Sequence, residues 1–130
     1  MKRTLLLISV FSVLAGFAIA QDDAAYATWM KTVNPSVKAI KTAITAKDNA
    51  AVATEANKLA ATFDSILGYW TAKKVDDAIG FAKAARDGAK AVAAATDSDA
   101  QTAALATVSA QCGQCHAAHR AGGGGAFTIK

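Results

Sequence analysis

Cysteine is almost absent from this chain: two residues in 130, at positions 112 and 115. So few leave no framework of disulfide staples, and a bridge between residues three apart is of the redox-active kind. Histidine is equally scarce, with two residues, His116 and His119. No segment of useful length alternates apolar and polar residues, and no internal repeat is convincing. Sheet-based folds and repeat arrays are therefore excluded. No apolar run has the length of a spanning helix, since the one at residues 5–17 is short. Charge of one sign is lacking too. Fourteen Lys and Arg face ten Asp and Glu, and two of the fourteen, Lys2 and Arg3, precede that apolar run. Without them twelve cations face ten anions, and nothing suggests nucleic-acid binding.

Residues 1–20 read as a secretory signal peptide. Lys2 and Arg3 form the basic region, residues 5–17 the apolar region, and Ala18-Ile19-Ala20 the cleavage site. No cysteine lies near the cut, so a lipid anchor is not supported. Export to the bacterial periplasm is expected, with a mature chain starting at Gln21 and no stable membrane insertion after cleavage.

The mature chain predicts four helices. Residues 22–46 carry Tyr26, Met30, Val33, Val37, Ile40 and Ile44 in alternating steps of four and three, the stripe of a bundled helix. Pro35 lies off that stripe and predicts a kink, or else a break with Asn34 as cap. Lys47-Asp48-Asn49 ends this helix and caps the next, which carries Val52, Ala56, Leu59, Phe63, Ile66 and Trp70. Gly68, Tyr69 and Trp70 mark its expected frayed end, and Trp29, Tyr69 and Trp70 read as packing residues. A third helix starts near Lys73 or Lys74 and buries Val75, Ile79, Ala82, Ala89 and Val92. Its Gly80 and Gly88 either permit close approach or are merely tolerated. Thr96-Asp97-Ser98-Asp99 caps a fourth helix with Leu105, Val108, Cys112, Cys115 and His119 on its stripe. Residues 121–130 read as a glycine-rich flexible tail in which Phe127 and Ile129 are candidate docking residues. The domain is thus expected to span 21–120, as an all-α, antiparallel, up-down-up-down four-helix bundle.

Cys112-Gly113-Gln114-Cys115-His116 is the stretch that carries chemistry. C-x-x-C-H is the attachment signature of c-type haem: two thiols add to haem vinyl groups and the histidine binds iron. Spacings of three and four put all three side chains on one helix face. A thioredoxin-like dithiol needs a preceding strand, and none is seen. A zinc site from Cys112, Cys115, His116 and His119 would have to wrap a tetrahedron from one straight helix. A plain disulfide and chance occurrence are the remaining readings.

With this motif near the end of the last of four helices, and Arg120 four residues after His116, the chain resembles the cytochrome c′ family, bundles of the kind described for such cytochromes. Trp29-Met30-Lys31 resembles the pattern of its low-spin members. The resemblance implies one covalent haem c with iron, His116 and Met30 as axial ligands, and Arg120 near the proximal side or a propionate. Elimination points the same way for Met30, because the second and third helices hold no methionine or histidine. His119 shares a helix face with His116 and is expected to pack near the haem edge. The expected function is a monohaem electron carrier, not an enzyme, with no catalytic residues. Its partners would be redox proteins, with a homodimer through the first two helices as a possibility that relatives suggest. A five-coordinate gas-binding protein taking NO or CO is the first rival, and a thiol-disulfide oxidoreductase is the second.

Overall fold

Alanine-rich segments with larger apolar residues three and four apart favour helices that bury the resulting stripe. The structure, a computed structural model, describes residues 4–122 and 128–130, with side chains from Asp23 onward. Four helices, α1 (Thr4–Thr45), α2 (Asn49–Lys73), α3 (Asp76–Ala94) and α4 (Ser98–His119), are followed by a short pair of strands, β1 (Arg120–Ala121) and β2 (Thr128–Ile129). Among the described residues, no helix is long and apolar enough to cross a membrane. The backbone of α1 is helical through the Ala20–Gln21 junction. Lys2 and Arg3, and the side chains of the apolar run, lie outside the described residues.

The predicted stripes are the core. All six α2 positions are buried, from Val52 to Trp70, with Leu59 and Ala56 fully so. On α1, Tyr26, Val33 and Ile40 are buried while Met30, Val37 and Ile44 pack at the margin. On α3, Ala82, Ala89 and Val92 are buried and Ile79 is marginal, as is Val75 at the N-cap just before the helix. On α4 the buried stripe is Leu105 and Val108, followed by a partly buried Cys112.

Helix ends differ from the expectation in instructive ways. Pro35 lies inside a continuous α1 and is exposed, so no break forms at Asn34. The ring occupies the solvent side while the apolar stripe keeps phase. Gly68, Tyr69 and Trp70 are not a frayed end: α2 continues to Lys73, because Tyr69 and Trp70 are buried anchors and Gly68 is merely exposed. Two lysines stop helices where glycine is usual. Lys47 and Lys74 both adopt φ 58°. In each case the lysine N–H and the next residue's N–H bond back to the last turn: Lys47 to Ile44 and Asp48 to Ala43, Lys74 to Thr71 and Val75 to Trp70. Asp48 then accepts a hydrogen bond from the Ala51 N–H, and Asp97 accepts from those of Asp99 and Ala100.

Gln101 was not singled out by the sequence pattern, yet it is 1% exposed. Its Nε2 donates to Asn49 Oδ1 at 2.9 Å and to the Ala95 carbonyl at 2.8 Å. Asn49 Nδ2 donates in turn to the Thr96 carbonyl, so this network ties the start of α2 to the turn before α4.

The chain after α4 departs from the flexible-tail expectation. Arg120 and Ala121 pair antiparallel with Ile129 and Thr128. Gly122 takes φ 84° as the chain leaves β1, a conformation that glycine adopts without a Cβ clash. The Lys130 N–H then donates to the His119 carbonyl and its Nζ to the Ala117 carbonyl, satisfying helix-end acceptors. Gly123, Gly124, Gly125 and Phe127 lie outside the described residues; Ile129 is exposed rather than docked.

The two α3 glycines have opposite roles. A Cβ on Gly88 would lie 2.9 Å from Val108 Cγ2, whereas one on Gly80 would meet nothing within 4 Å. Gly88 thus permits the close approach of α3 to α4. Gly80→Ala is expected to raise stability by about 0.5–1 kcal/mol. Gly88→Ala is expected to lower it by about 1 kcal/mol, because overpacking against β-branched Val108 outweighs the gain in helix propensity. Urea midpoints at constant slope would measure both.

Candidate functional site

The last three turns of α4 present two different sides. Cys112, Cys115, His116 and His119 are half-buried, while Gly113, Gln114, Ala117 and Ala118 are exposed. The motif side chains therefore share the inward face, as i, i+3, i+4 and i+7 spacing requires. Both cysteines are free. Among the described residues, no group of three or more His, Cys, Asp or Glu side chains is placed to hold a metal ion, so the zinc reading gains no support.

Among the described residues, consecutive helices pack closely along the bundle, but α1 and α4 touch far less than the other neighbours. The motif borders this loose seam. Across it, Tyr26 of α1 lies within electrostatic reach of Cys115 and Cys112. Burial, and secondarily the charge that Cys115 would carry, push the Tyr26 hydroxyl above its ordinary range. Tyr26 stacks on Tyr69, with centroids 4.3 Å apart, and meets the edge of Trp70 at 5.5 Å. Trp70 in turn lies 5.2 Å from the His119 ring. Its Nε1 is near the Tyr26 hydroxyl but outside hydrogen-bond geometry, and no other partner among the described residues satisfies it. An aromatic cluster from α1 and α2 thus adjoins the motif helix.

The electrostatics separate the candidate roles. Burial pushes the Cys112 thiol up, and burial with the Cys112 and Asp77 charges pushes Cys115 up to about 11. Reactive thiols need the reverse, an electropositive setting that lowers the pKa. Burial, and next the Arg120 guanidinium, push His116 below its ordinary value. Its imidazole is therefore held neutral at pH 7, the form that binds a metal.

His119 is committed elsewhere. Its Nε2 lies 2.9 Å from Asp77 Oδ2, joining the end of α4 to the first turn of α3. That contact helps hold the Asp77 carboxyl below the usual carboxylate range, against the opposing effect of burial. Sequence spacing had placed His119 on the motif face; its partner, 42 residues away, was not legible. Arg120 ends α4, its N–H donating to the His116 carbonyl. Met30 is half-buried at the core margin, one turn along α1 from Tyr26. The structure brings Cys112, Cys115 and His116 together on α4, with Arg120 at its C-cap, and sets Met30 on the helix across the seam.

These residues fit a covalent haem by their donor chemistry. Two unpaired thiols share one face, a neutral imidazole follows them directly, and aromatic rings border the seam. A surface groove of about 620 Å³ is lined by Pro35, Lys38, Thr42, Asp48 and Glu55 and by no motif residue. No protein-family model, curated protein or solved structure matches the chain.

Proposed function

We propose that this chain is an exported monohaem c-type cytochrome that carries single electrons in the bacterial periplasm. The supporting observation is the side of α4 that carries Cys112, Cys115 and His116: half-buried, with free, protonated thiols and a neutral imidazole, turned toward the loose α1–α4 seam. Cys112 and Cys115 would hold haem c through two thioethers, and His116 would bind iron from the same helix. Bound haem supplies a one-electron couple. The chain supplies orientation and a low-polarity setting: α4 fixes the spacing of the three attachments, and Tyr26 and Trp70 limit water around them. Burial, and next Arg120, push His116 below its ordinary value, and Arg120 is near enough in sequence to serve a propionate. Connections of two or three residues between successive helices support an up-down-up-down arrangement. The partners in this reading are other redox proteins.

Met30 would be the second residue to bind the iron. It lies on the one helix that faces α4 across the seam, and α2 and α3 contain no methionine or histidine. A thioether binds iron without first losing a proton, whereas a lysine must, from about 10.4. Saturated His/Met ligation favours electron transfer and raises the potential. The deciding experiment compares wild type with Met30→Leu. Wild-type ferrous protein is expected to be low-spin and inert to CO. The variant is expected to retain covalent haem, become high-spin, bind CO and have a lower potential. Ready CO binding by the wild type would make Met30 a packing residue and the protein a gas binder.

A further inference from the structure

The chain has two tyrosines, Tyr26 and Tyr69, and they stack on one another. Their rings are 28° from parallel at a centroid separation of 4.3 Å. The inner ring, Tyr26, is within electrostatic reach of the motif cysteines. The outer one, Tyr69, is buried as a residue, but its hydroxyl donates a 2.7 Å hydrogen bond to Asp23 Oδ1. Asp23 is solvent-exposed and pairs through the same oxygen with Lys73 Nζ at 3.1 Å. Lys73 also sits 4.8 Å above the Tyr69 ring centre.

A phenol yields an electron reluctantly while it keeps its proton, because the product is a cation. Beside Lys73 a cationic ring would be especially unfavourable. A base that takes the proton as the electron leaves makes the product neutral. A short hydrogen bond to an ionised carboxylate provides such a base. Tyr69 has that partner, and Asp23 opens to water.

We propose that Tyr69 is a redox-active tyrosine, passing an oxidising equivalent from the motif end of the bundle, through Tyr26, to the surface at Asp23. In the net step, a strong one-electron oxidant, a ruthenium(III) polypyridyl in solution or one derived from peroxide where the iron is open, accepts one electron from Tyr69. The phenolic O–H bond breaks, and its proton moves to Asp23 Oδ1. A neutral phenoxyl and a protonated carboxyl remain, and Asp23 releases the proton to water. One electron from a solution reductant and one proton restore the phenol. The inner end of this route rests on the haem reading; the Tyr69–Asp23 pair does not.

The test uses the isolated full protein, checked by haem stain, with a photo-oxidised ruthenium(III) polypyridyl as oxidant. Wild type is expected to give a phenoxyl EPR signal that narrows with ring-deuterated tyrosine. Tyr69→Phe should lose that signal and Tyr26→Phe should keep it. Signal growth should be slower in D₂O, and Asp23→Asn should lose both most of the yield and this isotope effect. A radical on Tyr26 or a tryptophan, or an unchanged yield in Asp23→Asn, would overturn the proposal. Adding hydrogen peroxide to stain-positive Met30→Leu protein, whose iron is expected to be open, should produce the same Tyr69 signal, and its absence there would remove the inner half of the route. A negative stain with a Tyr69 radical under photo-oxidation would end the cytochrome reading and leave the Tyr69–Asp23 pair standing. A positive stain with no Tyr69 radical would do the opposite.

Discussion

Serine at both 112 and 115 is expected to abolish covalent haem. Attachment is a carbon–sulfur bond to each vinyl group, and a hydroxyl does not replace sulfur in it. His116 alone would leave a dissociable ligand bond, which denaturing electrophoresis does not preserve. Wild type should therefore stain for haem after denaturation, with a mass exceeding the polypeptide by one haem, and the double variant should do neither. Each single variant retains one sulfur and should give a single-thioether or haem-poor product. Denatured wild-type holoprotein should show no free thiol to a thiol reagent. Protein made without haem should show two when denatured but react slowly when folded, because burial pushes both thiols up, Cys115 to about 11. A wild type with two reactive thiols and no stain would sink the cytochrome reading.

Trp70→Ala is expected to cost about 3–5 kcal/mol of folding stability. Trp70 is 2% exposed and contacts rings from three helices: Tyr26 of α1, its neighbour Tyr69 of α2, and His119 of α4. Removing it opens a large cavity where the helices converge. Against a typical total of about 5–15 kcal/mol, such a loss lowers the urea midpoint steeply and partly unfolds a marginal domain. Trp70→Phe should cost substantially less, because it retains a ring and the indole N–H has no hydrogen bond to lose. Equal loss in the two variants would show that the indole size is not what matters.

Periodicity made the helical class legible. The α2 stripe is buried at every expected position, since a helix has one way to hide residues spaced three and four apart. The stretches Lys47-Asp48-Asn49 and Thr96-Asp97-Ser98-Asp99 were readable as capping regions because short polar side chains suit exposed amides at a helix start, and the structure assigns the N-caps to Asp48 and Asp97. Cys112, Cys115 and His116 share a face by spacing alone. The end of α2 was misread because Gly68 is a local signal, whereas burial of Tyr69 and Trp70 is a tertiary one. The β-pair after α4 was missed for a related reason: a two-residue ladder has no period to read.

The sequence by itself determined the four helices, the core stripes and the single face that carries the motif, because each follows from local spacing along one helix. Only the tertiary structure decided what meets that face. It set Tyr26 within electrostatic reach of the cysteines, His119 on Asp77, Gly88 under Val108 and Tyr69 on Asp23. These pairs join different helices, and their contacts depend on how whole helices rotate and slide when their buried stripes interlock. No local pattern encodes that choice; it is settled by the packing of the entire core.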